Sequence, residues 1–224
     1  MTKPVLIDAY CGGGGASMGY SRAGFEVIGI DKFPQPRYPF TFIQEDVAEL
    51  DLADVARQYG AVAIGGSPPC HDHSVLRHRT GKDHGTGWLL DKFRQQCIAT
   101  GLPYIIENVE SAPLLDPVTL CGSMFVLGAK DHDGVFRTLK RHRKFESGGL
   151  KLDPPTDMCK GLLIGGVYGH GGGRVAKRGI AFATEAAQIA MGIDWLPYKE
   201  LSQAIPPAYT HYLGLQLMEH LNRV

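Results

Sequence analysis

The sequence lacks any long apolar run. No stretch of its 224 residues approaches the length of a membrane-spanning helix. The amino terminus, MTKPVLIDAYCGG, also lacks the basic segment, apolar run and cleavage site of an export signal. We therefore expect a cytoplasmic protein with no membrane partner.

Cysteine is scarce as well. The five cysteines are odd in number and irregularly spaced, which argues against a disulfide framework and favours a reducing compartment. A single thiol in such a chain is available for chemistry.

The chain has no excess charge of either sign, because 23 basic residues balance 23 acidic ones. The balance hides an uneven distribution. Residues 1–136 carry 11 basic and 16 acidic groups, residues 137–180 carry 10 and 3, and residues 181–224 carry 2 and 4. The basic middle segment predicts contact with a polyanion, although a solvated basic face would have the same composition.

Short apolar runs alternate with helical patterns in the first part of the chain. The predicted strands are 4–10, 26–31, 40–46, 61–66 and 103–109, and the predicted helices are about 15–24, 49–59 and 86–100. Apolar strands separated by helices predict a parallel sheet covered on both faces, which is a doubly wound α/β fold. After about residue 147 the pattern weakens to one short strand, LLIGGVY, before helical character returns in TEAAQIAMG and PAYTHYLGLQLMEHL.

In such sheets, ligands bind beyond the carboxyl ends of the strands. The chemically distinctive side chains at these ends are Asp8, Asp31, Asp46, Cys70 and Glu107. The functional site is therefore expected at this edge of the sheet.

The segment DAYCGGGGASMGY, residues 8–20, places four glycines between a strand and a helix, where a backbone can approach a ligand closely. It has neither the dinucleotide fingerprint nor the Lys-Ser/Thr of a phosphate loop. Asp31 is placed to bind ribose hydroxyls and Asp46 an adenine amino group. The pattern favours an adenosine cofactor without a pyrophosphate, although a tight turn with capping or solvated aspartates would also fit.

The stretch GGSPPCHDHS leads through Pro68 and Pro69 to Cys70. The two prolines restrict the backbone, so the direction in which Cys70 emerges is nearly predetermined. A nucleophilic cysteine needs nearby positive charge, and the following basic residues are His71, His73, Arg77, His78, Arg79 and Lys82. Taken alone, Cys70 could be an inert buried thiol. A metal site at Cys70-x-x-His73 lacks a second ligand pair with zinc spacing.

Glu107 follows the apolar run YII, so a buried position would raise its pKa and let it hold a proton at neutral pH. A thiolate beside a protonatable carboxyl group suits covalent chemistry on an electron-poor ring. An exposed strand-end glutamate is the alternative.

Taken together and in this order, the motifs resemble those of the DNA (cytosine-5) methyltransferases. DAYCGGGG resembles the cofactor motif, with Tyr10 in place of the usual phenylalanine. GGSPPC and ENV resemble the Pro-Cys and Glu-Asn-Val motifs, and RHRKF resembles the Arg-x-Arg motif. LSQAIPP resembles the closing motif. The runs RYPFTFIQED and SQAIPPAYTHYLG are most similar to short bacteriophage cytosine methylases, which implies the cytosol of a bacterium or of a phage-infected host.

The resemblance implies a Rossmann-like fold, S-adenosylmethionine as cofactor and DNA, most simply double-stranded, as partner. It implies that Cys70 attacks cytosine C6, that Glu107 holds N3, and that Arg143, together with Arg141, holds the base. Asn108 would position the active-site loop. The implied cofactor residues are Asp8, Tyr10, Gly12, Gly14, Asp31, Asp46 and Pro68.

The resemblance also implies that the target cytosine is flipped out of the duplex while the segment from His71 to about Thr86 closes over it. We expect a catalytic core at 1–146, a reduced target-recognition region at 147–183 and C-terminal helices at 184–224 that pack back on the core. The small recognition region favours a short or degenerate target. The nucleic-acid contacts implied are Arg77, Arg79, Lys82, Arg174, Lys177 and Arg178, with Lys151 and Lys160 as further phosphate contacts.

Several alternatives remain open. The substrate could be RNA or a single strand, or the donor could be a modified sulfonium compound. The chain could also be a small-molecule methyltransferase or a DNA-binding relative that has lost catalysis. We expect a monomer that uses no metal.

Overall fold

The computed structural model describes residues 2–69, 87–156, 161–168, 175–176 and 179–223. Twelve strands lie within these ranges: β1 Val5–Ala9, β2 Glu26–Asp31, β3 Thr41–Gln44, β4 Ala61–Gly66, β5 Tyr104–Asn108, β6 Val118–Leu120, β7 Gly128–Lys130, β8 Phe136–Leu139, β9 Arg143–Gly148, β10 Ile164–Gly166, β11 Val175–Ala176 and β12 Gly179–Ala181. The α-helices within the same ranges are α1 Gly15–Arg22, α2 Leu52–Tyr59, α3 Trp88–Thr100, α4 Thr184–Met191, α5 Tyr198–Leu201 and α6 Pro207–Leu221.

The main sheet of the described chain has the strand order β3-β2-β1-β4-β5-β9-β6. Strands β1 to β5 are parallel, as the apolar runs predict, whereas β9 pairs antiparallel with both β5 and β6. The doubly wound α/β prediction is therefore confirmed. The two antiparallel strands extend the sheet beyond the predicted parallel set.

Alternate residues of β1 explain why both faces of this sheet are covered. Leu6 packs into a cluster with Tyr20 of α1 and Tyr209 of α6. Its neighbour Ile7 points to the other face, where the cluster includes Phe93 of α3. Burying both faces of the central strands provides the main hydrophobic stabilisation of the core.

Helix ends follow the expected local chemistry. The Asp51 side chain accepts the main-chain N–H groups of Ala53 and Asp54 at 2.9 and 3.0 Å, which caps α2. Gly60 ends the same helix in a left-handed conformation. Helix α6 begins at Pro207, whose missing N–H costs nothing in the first turn.

A second sheet has the order β11-β12-β10-β8-β7. Helix α4 covers one face through Ala187, Ala190 and Met191. Strands β7 and β8 precede residue 147, so the predicted recognition region 147–183 supplies only part of this sheet. Helix α6 packs on the main sheet, but α4 packs on the second one.

Among the described residues, no helix is both long and apolar enough to cross a membrane.

Candidate active site

The glycine loop and Asp31 meet at neighbouring strand ends. Strands β1 and β2 are parallel neighbours with Ala9 opposite Ile30, which brings the loop after β1 beside Asp31. The Gly12 N–H donates to Asp31 Oδ2 at 3.1 Å, and the Phe33 N–H donates to Oδ1 at 2.9 Å. Gly12 is left-handed, with φ of 47°, and a Cβ there would meet nothing within 4 Å. This end of the loop therefore faces open space that a ligand can enter.

Asp8 lies one layer deeper. It is 1% exposed, and the Ser17 hydroxyl donates to its Oδ2 while the Tyr38 hydroxyl donates to Ser17 Oγ at 2.9 Å. Burial raises the pKa of Asp8 to about 7, although the Ser17 hydrogen bond opposes the shift. Asp8 is thus enclosed by protein side chains next to the glycine loop. A contact between Asp8 and the cofactor remains a prediction.

The other predicted loop residues are packed by protein. Gly14 is left-handed, and a Cβ there would come within 2.9 Å of Pro39. Tyr10 also has a left-handed φ of 55°, and its ring lies edge-on to Phe93 with centroids 5.4 Å apart. Its buried hydroxyl has no hydrogen-bond partner among the described residues. Within the loop, Gly12 thus faces the open side and Gly14 does not.

Asp46 follows β3 at the same edge of the sheet. Its Oδ1 accepts the Ala48 N–H at 3.0 Å, and its Oδ2 lies 3.6 Å from Lys32 Nζ. Both groups of this ion pair are partly exposed, so the pair contributes little stability. The carboxylates of Asp31 and Asp46 are thus placed at adjacent strand ends. Their oxygens suit ribose hydroxyls and an exocyclic amine.

Glu107 and Arg143 form the centre of the site. Antiparallel pairing of β5 and β9 brings the carboxylate Oε1 to 3.0 Å from Arg143 Nε. Glu107 is 8% exposed, and burial raises its pKa. The charges of Arg143 and Arg141 and a hydrogen bond from Ser67 oppose that shift. Desolvation dominates, so the carboxyl group is suited to hold a proton.

Asn108 connects β5 to the turn after β4. It is 1% exposed, and its Nδ2 donates to the Pro68 carbonyl at 3.1 Å. Its Oδ1 accepts the Val109 N–H at 2.9 Å. The hydrogen bond to Pro68 holds the chain two residues before Cys70. Cys70 itself lies outside the described residues.

Arg141 lies in the interior of the protein, two residues before Arg143. Its guanidinium is buried and donates to main-chain carbonyls of three residues: Val167 at 3.3 Å, Ser202 at 2.9 Å and Ala204 at 2.7 Å. Its own carbonyl accepts the Tyr209 hydroxyl at 2.7 Å. The Arg141 guanidinium thus holds the main chain around Val167 and Ser202, and its contact with the target base remains a prediction.

The basic segment 137–180 also uses part of its charge internally. Arg137 makes a two-point ion pair with Asp133 at 2.8 and 2.6 Å. Arg141 donates to main-chain carbonyls, and Arg143 pairs with Glu107. Lys140 and Lys151 are exposed. The predicted nucleic-acid residues Arg77, Arg79, Lys82, Lys160, Arg174, Lys177 and Arg178 lie outside the described residues, as does the predicted lid from His71 to about Thr86.

Three residues that contact the glycine loop or Asp8 were not predicted from the sequence: Ser17, Tyr38 and Trp195. The Trp195 indole N–H donates to the Gly13 carbonyl at 2.9 Å across 182 positions. The sequence contains no local signal for so distant a contact. Within the described ranges, no group of three or more His, Cys, Asp or Glu side chains could hold a metal ion.

No family model matches the chain. A curated relative does match: type II methyltransferase M.HgiGI of Herpetosiphon aurantiacus is 35% identical over 120 residues. That alignment covers 48% of this chain and 92% of the relative. Two further type II methyltransferases match over only 38% and 27% of their own length.

Two solved structures resemble the whole chain. One is S. pombe Dnmt2 methyltransferase, with a TM-score of 0.68, 11% identity and coverage of 99% of this chain and 100% of that one. The other is an E. coli prophage protein assigned as a DNA modification methyltransferase. Its TM-score is 0.67 at 15% identity, with coverage of 98% of this chain and 99% of that chain. At these identities, both comparisons show the fold.

Proposed function

Because the chain belongs to the DNA cytosine methyltransferase family, we propose that it transfers a methyl group to C5 of cytosine in DNA. The observation that carries this proposal is the cluster at the ends of β4 and β5. Glu107 is buried and paired with Arg143, and Asn108 holds the Pro68 carbonyl just before Cys70. A carboxyl group that can hold a proton therefore lies on the strand that is hydrogen-bonded to Pro68, two residues before the proposed nucleophile Cys70.

Methyl transfer in this family uses S-adenosylmethionine, in agreement with the cofactor predicted from the sequence. When bound, this cofactor supplies an electrophilic methyl group. The strand ends fit it: Asp31 would hold the ribose hydroxyls and Asp46 the adenine amino group, and the open space at Gly12 admits the ligand to the main chain. Asp31 is already oriented by two main-chain N–H groups.

Cytosine C5 is a poor nucleophile, so the chain's residues must first activate the ring. The Cys70 thiolate forms a bond to C6, the C5–C6 π pair becomes a C4–C5 double bond, and the C4–N3 π pair takes the proton of Glu107, so C5 becomes a nucleophilic enamine carbon. After C5 has gained the methyl group, a base removes the C5 proton. The C5–C6 double bond then re-forms as the C6–S bond breaks, and the N3 proton returns to Glu107. The donor, having lost its methyl group, would leave as S-adenosylhomocysteine.

Arg143 orients Glu107 and would also contact the flipped base. Its Nε pairs with Glu107 Oε1, which fixes the orientation of the carboxyl group. Attack on C6 comes from above the ring, so the cytosine must leave the base stack. We further propose that the segment from His71 to about Thr86 closes over the flipped base.

DNA is the proposed partner, held mainly through phosphate contacts. Exposed Lys140 and Lys151 are available for this role, and Arg77, Arg79, Lys82, Arg174, Lys177 and Arg178 are proposed to join them. Binding through phosphates predicts affinity that falls steeply with salt and a short or degenerate target sequence.

The test is nucleoside analysis. The protein is incubated with S-adenosylmethionine and with duplex DNA, single-stranded DNA or RNA of matched sequence, and the product is digested for mass spectrometry. The expected result is 5-methylcytosine in duplex DNA. Methylation of an exocyclic amine, modification of RNA alone, or no methylated base on any substrate would contradict the proposal.

A further inference from the structure

The segment 193–205 of the chain lies directly against the glycine loop. The Trp195 indole donates to the Gly13 carbonyl at 2.9 Å. A Cβ on Gly13 would lie 2.6 Å from a Leu196 methyl group, and one on Gly15 would lie 2.5 Å from the Ile205 carbonyl. Two of the loop's four glycines therefore owe their surroundings to residues about 180 positions away.

The same segment also holds the strand that carries Arg143. The carbonyls of Ser202 and Ala204 accept the Arg141 guanidinium, two positions before Arg143. Arg143 in turn pairs with Glu107. The segment 193–205 thus contacts the glycine loop at one end and, at the other, the chain that leads to Arg143 and the proposed catalytic carboxyl group.

The loop needs such support because of its composition. Glycine has more backbone freedom to lose on ordering than any other residue. Gly12 and Gly14 both adopt left-handed φ angles, of 47° and 83°, with Gly13 between them. A hydrogen bond to the Gly13 carbonyl restrains the peptide that joins these two turns. It therefore reduces the ordering that a ligand would otherwise have to impose.

We propose that Trp195 is a positioning residue for cofactor binding, holding the glycine loop in its ligand-ready conformation through the Gly13 carbonyl. This inference rests on the proposed function, because it takes S-adenosylmethionine as the ligand of the loop. Trp195 touches the protein main chain and not the reacting atoms. Its loss should therefore weaken cofactor binding and leave the methyl-transfer step largely unchanged.

The first test measures binding of S-adenosylhomocysteine, the reaction product, by titration calorimetry. Trp195→Phe keeps an aromatic ring but removes the N–H donor, and we expect about five-fold weaker binding, the size of one hydrogen bond. KM for S-adenosylmethionine should rise similarly, with kcat within about two-fold of the wild type. Trp88→Phe, the same change at a tryptophan that is 52% exposed, should leave both constants unchanged.

A second measurement does not depend on the stability of the Trp195 variant. The chain has two tryptophans, so Trp88→Phe leaves Trp195 as its only indole fluorophore. We expect S-adenosylhomocysteine to change the emission of that variant. Equal affinity of wild type and Trp195→Phe, or unchanged Trp195 emission when calorimetry shows binding, would overturn the inference. Absence of binding to the wild type would instead overturn the proposed cofactor site.

Discussion

The Asn108 side-chain amide donates to the Pro68 carbonyl at 3.1 Å, so strand β5 holds the chain just before Cys70. Both groups are buried. The prolines restrict the local backbone, and Asn108 ties that backbone to the strand carrying Glu107. One contact therefore joins the strand of Glu107 to the main chain that leads to Cys70.

Substituting Cys70 by Ala should abolish methyl transfer while changing the Kd for S-adenosylhomocysteine by less than about two-fold, because the thiol acts on cytosine and not on the cofactor. A 5-fluorocytosine oligonucleotide gives a direct readout. Fluorine replaces the C5 hydrogen that must be removed before the C6–S bond can break. The wild-type protein should therefore remain covalently attached to the oligonucleotide on a denaturing gel, and the variant should not. Cys97→Ala, a change at a buried cysteine outside the site, serves as the control. Transfer by Cys70→Ala would disprove the covalent mechanism.

Glu107→Gln should slow methyl transfer by about 10²- to 10⁴-fold, the range of general acid catalysis. Burial raises the Glu107 pKa, so the protonated form persists to higher pH than for an ordinary glutamate. In wild type, the rate should fall as pH rises through this pKa, and the amide variant should lose that limb of the pH–rate profile. An identical profile for the two proteins would remove Glu107 from the proton transfer.

Arg141 and Arg143 should behave differently although they are two residues apart. Arg141→Gln removes charged donors from buried carbonyls, so the free energy of unfolding should fall by about 3 kcal/mol. Arg143→Gln should retain most of the stability and lose most of the methyl transfer, because Arg143 orients Glu107. Thermal unfolding and transfer assays separate the two effects, with exposed Lys130→Gln as the control. Equal stability of the Arg141 and Arg143 variants would contradict this division.

Asp8→Asn should make the protein's stability less dependent on pH. The pKa of Asp8 is about 7 in the folded protein and 3.8 for an ordinary aspartate, so between these pH values the folded state keeps a proton that the unfolded state releases. Stability conferred by the protonated group is therefore lost as pH rises, at a slope of up to ~1.4 kcal/mol per pH unit. Denaturant unfolding from pH 4 to 8 checks this, with exposed Asp194→Asn as the control. If the free energy of unfolding varied with pH in the same way for wild type and Asp8→Asn, Asp8 would not be the group whose titration causes the loss of stability.

The Arg94–Glu146 ion pair joins α3 to β9 and is nearly inaccessible to solvent. Glu146 accepts from Arg94 at 2.7 and 2.9 Å and from the Leu115 N–H at 2.9 Å. Glu146→Leu should cost about 3 kcal/mol, because it removes the buried carboxylate from a guanidinium that keeps only contacts at the Asp91 carboxylate and the Pro113 carbonyl among those described. The double variant with Arg94→Met should be less destabilised than the single variant in urea unfolding. A larger loss in the double variant would contradict this account.

The parallel core could be predicted because its signals are local. Apolar runs bounded by turn residues marked strands β1, β2, β4 and β5 within a residue or two, while the prediction for β3 was three residues too long. Strands β6, β7 and β8 were missed because they have three or four residues and no clear period. Strands β7 and β8 pair with each other, and β6 pairs with β9 across a longer separation in the chain.

The sequence by itself determined the class of the fold and the set of chemically distinctive strand ends, because strand periodicity, glycine and proline act through neighbouring residues. Only the tertiary structure decided which of those groups meet. It paired Glu107 with Arg143 and buried Arg141 against the Ala204 carbonyl. It also buried Asp8 in a hydrogen bond with Ser17 and brought Trp195 to the Gly13 carbonyl. Each of these outcomes depends on strand register or long-range packing, since a side chain's hydrogen-bond partners and burial are properties of the folded chain.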